Sequence, residues 1–150
     1  MSKSDQVIVI HYSCESFYDR PDGSSPRITS IAVRNLDSGQ TTSFSIHQIA
    51  ERKGYSVTAL EQHFNELEKL MLEEFYNFVS RHSSHIWSHW NMRDINYGFP
   101  AIAHCFKVLQ GTPEDIGESK LVDLSRLLIA IYGVGYIQHL RLLSLVEKIR

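Results

Sequence analysis

The chain has 150 residues, of which 43% are hydrophobic and 21% charged, so it is long enough to bury one core and is not wholly disordered. Its formal charge of −2 excludes a dedicated duplex-DNA binder, which carries a basic excess, and leaves only a local patch for contact with nucleic acid. We see no signal peptide and no apolar stretch long enough to cross a bilayer. The two cysteines, Cys14 and Cys105, form no CxxC pair. We therefore expect a single domain over residues 1–150, located in the reducing cytoplasm and without membrane contact.

The first third of the sequence predicts three strands. Residues 7–10 (VIVI) form a β-branched run that is typical of a strand buried on both faces. A loop of turn-forming residues follows as far as Pro26, and residues 28–33 (ITSIAV) and 41–46 (TTSFSI) then predict two further strands. Turn residues at positions 35–39 join these two strands, which indicates an antiparallel hairpin.

The middle of the sequence predicts two helices with a short strand between them. Thr58 and Glu61 have the form of a capping box at the start of the first helix. Its apolar stripe contains Leu60, Phe64, Leu67, Met71, Phe75 and Phe78. Residues 86–87 begin the short strand. The second helix is predicted from Asp94 onward, with Pro100 in its first turn and apolar positions at Ile95, Phe99, Ile102 and Phe106.

The last part predicts one more strand and two more helices. Residues 121–122 form a brief fifth strand. The third helix is stopped by Gly133 and Gly135, and its stripe contains Leu124, Leu127, Leu128 and Ile131. A final stripe contains Leu140, Leu143, Val146 and Ile149. The complete order, βββαβαβαα, predicts an α/β fold in which helices pack on a mixed sheet.

Three short motifs fall at the ends of predicted strands. They are SCE at residues 13–15, WSHWNMRD at 87–94 and VDL at 122–124. Their order resembles the ribonuclease H-like fold of the DEDD-type 3′–5′ exonucleases, whose first strand ends in Asp-x-Glu and whose fourth strand meets its helix at an aspartate. In this comparison Glu15 keeps the glutamate and Asp94 keeps the later aspartate, whereas Ser13 stands where the family has its first aspartate.

The resemblance implies hydrolysis of a phosphodiester at a cluster of acidic residues. Two divalent ions, Mg²⁺ or Mn²⁺, orient the attacking water in such a site and neutralise charge on the phosphate. The resemblance implies Glu15 and Asp94 as catalytic residues. It implies Glu15, Asp94 and Asp123 as metal ligands, with Asp123 supporting the site more than binding metal.

The acidic set is incomplete in this sequence. The hydroxyl of Ser13 is a poor substitute for a bridging carboxylate. The closing His-x4-Asp motif of the family is not found, because Ser144 follows His139 at that spacing. We expect the motif-bearing helix to be absent or to follow Arg150, so that catalysis is weak or lost, as in a pseudoenzyme.

The second motif also offers groups that bind nucleic acid. His89, Trp90, Asn91 and Arg93 combine aromatic rings for base stacking with polar side chains, and they predict contact with a single strand or its 3′ end. In the alternative interpretation, Trp87 belongs to the core and Trp90 covers the edge of the sheet. Arginines at positions 20, 27, 34 and 93 either gather into a phosphate-binding patch or are scattered over the surface.

Each acidic residue also has an ordinary structural explanation. Glu15 is then a carboxylate at the rim of the sheet, Asp94 interacts with a helix dipole, and Asp123 caps a helix. Three hypotheses therefore remain open: an exonuclease-like domain that binds nucleic acid, an exonuclease completed by residues beyond this chain, and a protein-interaction scaffold. The first two require Glu15 and Asp94 to meet at one edge of the sheet.

Overall fold

Five strands form one mixed sheet in the computed structural model of the chain, which describes residues 6–15, 26–95 and 97–133. The strands are β1 (Val7–Cys14), β2 (Ile28–Asn35), β3 (Thr41–Ser45), β4 (Ile86–His89) and β5 (Leu121–Asp123). Their order across the sheet is β3-β2-β1-β4-β5. The predicted α/β class with a mixed sheet is therefore confirmed.

The central strand β1 separates an antiparallel half of the sheet from a parallel half. β1 pairs antiparallel with β2, and β2 pairs antiparallel with β3, which gives the hairpin expected from the sequence. On its other side β1 pairs parallel with β4, and β4 pairs parallel with β5. The carboxyl ends of β1, β4 and β5 consequently lie at the same edge of the sheet.

Four helices occur among the described residues: α1 (Ile46–Lys53), α2 (Leu60–Arg81), α3 (Phe99–Val108) and α4 (Leu124–Tyr132). The predicted stripes of α2 and α4 are confirmed as helical, and α4 ends at Gly133 as expected. The final helix predicted around residues 140–149 lies outside the described residues, and so does Gly135.

The helix α1 was not predicted from the sequence. We expected the third strand to continue to residue 46, but the chain turns into α1 at Ile46, where the side chain of Ser45 caps the helix by accepting a hydrogen bond from the amide of Gln48. Gly54 ends the helix with a φ of 73°, a left-handed conformation that glycine adopts without strain. The expected capping box at Thr58 was also wrong, because α2 follows a 3-10 turn over Val57–Ala59 and has no side-chain cap.

The start of α3 differs from the prediction as well. We expected the helix from Asp94, but a bridge pairs Arg93 with Gly98, and α3 begins only at Phe99. Asp94 therefore does not open a helix, and Ile95 is 68% exposed instead of belonging to an apolar stripe. Pro100 does lie in the first turn, as predicted.

The core lies on one face of the sheet, under α2. Ile8, Ile10 and Tyr12 alternate along β1 with half-buried or exposed residues, so that β1 turns one face to the core. Trp87 of β4 is fully buried and makes edge-to-face contacts with Phe75 and Phe78 of α2. Burial of each such large side chain contributes about 1.5–3 kcal/mol. The interpretation of Trp87 as a core residue is confirmed.

Candidate functional site

The three sequence motifs end up along one edge of the sheet. β1 ends at Cys14, β4 at His89 and β5 at Asp123, and His89 and Asp123 are directly paired in the parallel register. In open α/β sheets, ligands bind in the crevice outside the carboxyl ends of parallel strands. This edge is therefore the candidate binding site of the chain.

A cleft of about 1120 Å³ opens at the carboxyl ends of β4 and β5. Its walls come from the loop between β4 and α3, from α3, from the segment before β5, and from α4. Five of the predicted site residues line it: His89, Asn91, Arg93, Asp94 and Asp123. Glu15 and the half-buried Trp90 are not among its described lining residues.

Asp123 binds Ser125, Asn91 and Arg93 at the base of this cleft. Its Oδ1 accepts hydrogen bonds from the amide and hydroxyl of Ser125, at 3.1 and 2.7 Å, and from the amide of Asn91 at 3.0 Å. Its Oδ2 is in ionic contact with Nε of Arg93. Burial alone would raise the pKa of Asp123, but the hydrogen bonds from Ser125 and Asn91 and the charges of His89 and Arg93 lower the pKa below its usual value. Asp123 is the cap of α4, and the structural interpretation of this residue is confirmed.

Arg93 and Asn91 extend the same network towards solvent. Nη2 of Arg93 donates to Oδ1 of Asn91 at 2.9 Å, and the side chain of Arg93 is 34% exposed. Asn91 itself has a φ of 53°, a left-handed conformation that asparagine tolerates better than most residues. The Asn91–Arg93–Asp123 network thus fixes the loop after β4 against the start of α4.

His89 is buried beneath this network, with 2% of its surface exposed. Its Nδ1 accepts a hydrogen bond from the amide of Met92 at 3.1 Å, and the ring meets Phe99 edge to face. Burial lowers the pKa of His89, and Arg93 lowers it further, whereas Asp123 raises it. The ring is therefore neutral at pH 7, and because Nδ1 is an acceptor its proton is on Nε2.

Tyr97 and Gly98, just before α3, are bound to Tyr12 of β1, and the two tyrosines were not predicted as site residues from the sequence. The amide of Gly98 donates to the hydroxyl of Tyr12 at 2.7 Å, and the hydroxyl of Tyr97 donates to the carbonyl of Tyr12 at 3.2 Å. The two rings stack with their centroids 4.6 Å apart. Burial raises the pKa of Tyr12, so its hydroxyl stays protonated. The sequence signal at this point was Gly98 alone, because glycine often interrupts regular structure.

Glu15 has its partners on the other side of β1. Oε1 of Glu15 pairs with Nη1 of Arg27 at 2.8 Å, and the guanidinium of Arg27 lies over the ring of Phe64 in α2, 4.5 Å from its centroid. Glu68 of α2 is 3.7 Å from Nε of the same arginine and accepts the amide of Ile28. The structure therefore brings Asp94 and Asp123 into one cleft, while Glu15 joins an ion-pair cluster with β2 and α2. Arg27 is also not free to join a phosphate-binding patch, and Arg20 lies outside the described residues.

The predicted metal ligands are Glu15, Asp94 and Asp123. A two-metal site needs several carboxylates converging on two ions about 3.5–4 Å apart. Within residues 6–15, 26–95 and 97–133, no three His, Cys, Asp or Glu residues are grouped closely enough to hold a metal ion. The carboxylates of Glu15 and Asp123 each have an arginine as their cation. As placed, these residues do not fit a two-metal site, and the binding of Mg²⁺ or Mn²⁺ stays a prediction.

The cysteines contribute no reactive group to the cleft. Cys14 and Cys105 are both free thiols, as expected. Cys105 is buried in α3 and donates to the carbonyl of Pro26 at 3.6 Å. Burial raises its pKa to about 12, so the nucleophilic thiolate is scarce at neutral pH.

In the part of the chain that the structure describes, no helix is long and apolar enough to span a membrane. Comparisons with family models, with curated proteins and with solved structures found no match. The likeness to the DEDD-type exonucleases therefore rests on the residues and strand ends described above, and it remains a resemblance.

Proposed function

We propose that this chain is an exonuclease-like domain that binds the end of a single nucleic-acid strand in the cleft beside β4 and β5, with hydrolysis weak or absent. The observation that carries the proposal is the convergence of His89, Asn91, Arg93, Asp94 and Asp123 on one cleft at the carboxyl edge of the parallel strands. The sequence alone predicts each of these five as a site residue. Ligand binding at that edge is the rule for open α/β sheets.

The arrangement of the strands supports the ribonuclease H-like assignment within this proposal. β1 runs into Ser13-Cys14-Glu15, an antiparallel hairpin follows, and a fourth strand parallel to β1 leads into the loop that carries Asp94. This is the sequence of elements that the resemblance implies. Fold analogy alone does not establish an activity, so the proposal depends on the cleft.

The lining of the cleft suits the base of a nucleotide better than the sugar-phosphate backbone of an extended strand. Phe99, Pro100, Ile116 and Leu121 provide apolar surface against which a base can pack. The guanidinium groups of Arg93 and Arg126 stand at the same cleft as donors for the strand. Because Glu15 and Asp123 are neutralised by arginines, we propose that the chain retains binding while two-metal hydrolysis is lost.

Binding and hydrolysis are tested together with short labelled single strands of DNA and RNA. We expect fluorescence anisotropy to show saturable binding, and gel analysis to show no metal-dependent shortening in Mg²⁺ or Mn²⁺. Arg126→Gln should weaken binding, whereas Arg52→Gln should not, because Arg52 pairs with Glu74 and lines no part of this cleft. Shortening that is lost in Asp94→Asn would instead support an active exonuclease completed by residues beyond this chain. Absence of both binding and shortening would overturn the proposal.

A second candidate, the protein-interaction scaffold, is favoured by one feature of α4. Leu127, Ile131 and Tyr132 are 45%, 61% and 58% exposed, which is unusual for large apolar residues on one short helix. Sedimentation of the purified chain tests whether this surface mediates self-association. Loss of that association in Ile131→Glu, with oligonucleotide binding absent in both proteins, would favour the scaffold over the nucleic-acid-binding domain.

A further inference from the structure

The helix α4 is apolar in sequence but only partly covered by the rest of the described chain. Its apolar stripe contains Leu124, Leu127, Leu128 and Ile131, yet Ser125 is the one buried residue of the nine in this helix. Leu127 and Ile131 are exposed. A helix with this pattern ordinarily packs its stripe against another apolar surface. The outer side of α4 is therefore a face on which a further apolar element can pack.

Acidic residues lie next to this outer side of α4. Leu127 and Ala130 line the cleft together with Glu114, Asp115 and Glu118, which come from the segment before β5. These three carboxylates are exposed and are called the acidic rim below. An element that covers α4 at this place meets negative charge at its edge. A basic amphipathic segment is consequently favoured over an acidic one.

Residues 134–150 have the composition that such an element requires. Their predicted apolar stripe contains Leu140, Leu143, Val146 and Ile149. The charged residues of the segment are Arg141, Glu147, Lys148 and Arg150. Basic side chains thus outnumber acidic ones, and the segment combines an apolar stripe with a charge opposite to that of the acidic rim.

The length of the segment also matches α4. The nine residues of α4 correspond to about 14 Å of helix, and a helix over residues 140–149 would be about equally long. Residues 133–139 are left as the connection, within the roughly two to eight residues that usually join neighbouring helices. Gly133 ends α4 with a φ of 91°, a backbone conformation that lets the chain leave the helix direction.

We propose that residues 140–149 form a helix that packs antiparallel on Leu127 and Ile131, with its basic side chains towards the acidic rim. The occupant of the outer side of α4 is then a segment of the same chain and not a second protein. An isolated helix of this length is marginal in water, so contact with α4 is what stabilises it. The inference does not rest on the proposed function, and it covers the surface on which the scaffold alternative depends.

Hydrogen exchange followed by mass spectrometry tests this packing in the full chain. We expect the amides of residues 140–149 to exchange at least about tenfold more slowly than those of a synthetic peptide of residues 134–150. In Ile131→Asp, which places a charge on the outer side of α4, exchange should become as fast as in the peptide. Val57→Asp is the matched control, because Val57 is 83% exposed and precedes α2, and it should leave the protection unchanged.

A double-mutant comparison tests whether the two helices contact each other. Ile131→Asp and Leu143→Asp should each lower the melting temperature by roughly 5 °C, because each removes the same apolar contact. The variant with both substitutions should lose little more than either variant alone, since residues in contact are not additive. Far-UV circular dichroism establishes that the variants are folded, and sedimentation should show a monomer.

Each outcome supports or overturns the inference. Exchange of residues 140–149 as fast as in the peptide would overturn it. Protection that survives in folded Ile131→Asp would do the same, because the segment would then pack elsewhere. Protection that appears only together with a dimer in sedimentation would assign the outer side of α4 to a second copy of the chain. Oligonucleotide binding is measured separately, so this inference and the proposed function can fail independently.

Discussion

Replacing Asp123 with alanine tests whether the contacts of this aspartate stabilise the fold around the cleft. The substitution removes the cap of α4, which costs about 1 kcal/mol. It leaves the amide of Asn91 without its acceptor, which costs about another 1 kcal/mol. Loss of the ion pair with the partly exposed Arg93 adds up to about 1 kcal/mol. We expect the free energy of unfolding to fall by about 2–3 kcal/mol and the melting temperature by roughly 5–10 °C.

Urea and thermal unfolding, followed by circular dichroism, measure this loss. Asp123→Asn keeps an acceptor for Asn91 and Ser125 but removes the charge, so it should be destabilised by only about 1 kcal/mol. Asp115→Ala is the matched control, since Asp115 is an exposed carboxylate that lines the same cleft. The same melts are repeated with Mg²⁺. A loss below about 0.5 kcal/mol in Asp123→Ala, or a Mg²⁺-dependent gain in melting temperature that only the wild type shows, would refute the structural role.

Three further substitutions or conditions probe the surroundings of the cleft. Gly98→Ala should lower the free energy of unfolding by more than about 2 kcal/mol, because φ is 147° and a Cβ would lie 2.3 Å from the carbonyl carbon of Met92. A urea midpoint equal to that of the wild type would show that Gly98 does not approach Met92 this closely. The pKa of His89 is lowered from 6.5 by burial, so its contribution to stability is complete above pH 6.5 and is lost as the pH falls through its folded pKa. Unfolding curves measured from pH 8 to 5 should therefore show a free energy of unfolding that falls as the pH falls, and His89→Asn should reduce this dependence. Glu15→Gln should change the free energy of unfolding by at most about 1 kcal/mol, since its pair with Arg27 is partly exposed; a larger loss in denaturant melts would contradict this.

The sheet was predictable because its strands carry strong local patterns. The hairpin of β2 and β3 followed from two apolar segments and a turn at 35–39, and β1 followed from its β-branched run. The apolar stripe of α2 likewise recurs along a helix of 22 residues. The short α1 was missed because eight residues give a weak periodicity, although Ser45 and Gly54 are typical end signals that would have located it.

The start of α3 and the partners of the acidic residues depend on contacts that are distant in sequence. The helix begins at Phe99 because the hydroxyl of Tyr12, 86 residues earlier, binds the amide of Gly98 and closes the preceding loop. Asp123 meets the amide of Asn91 across 32 residues of chain. Neither the periodicity of apolar residues nor the spacing of motifs in the sequence indicates such pairings. The sequence could therefore select candidate residues, but it could not determine which charge would neutralise each of them.

The arginines that neutralise Glu15 and Asp123 bear on the metal binding that the family resemblance implies for this chain. In a two-metal site, converging carboxylates repel one another until divalent ions neutralise them. Here the carboxylates of Glu15 and Asp123 are each neutralised by an arginine of the chain itself, Arg27 and Arg93. A metal ion at either carboxylate would have to displace a guanidinium, and at Asp123 it would also compete with the hydrogen bonds that cap α4. That competition acts against metal binding at both positions, and it is the reason why we propose binding without hydrolysis at this edge of the sheet.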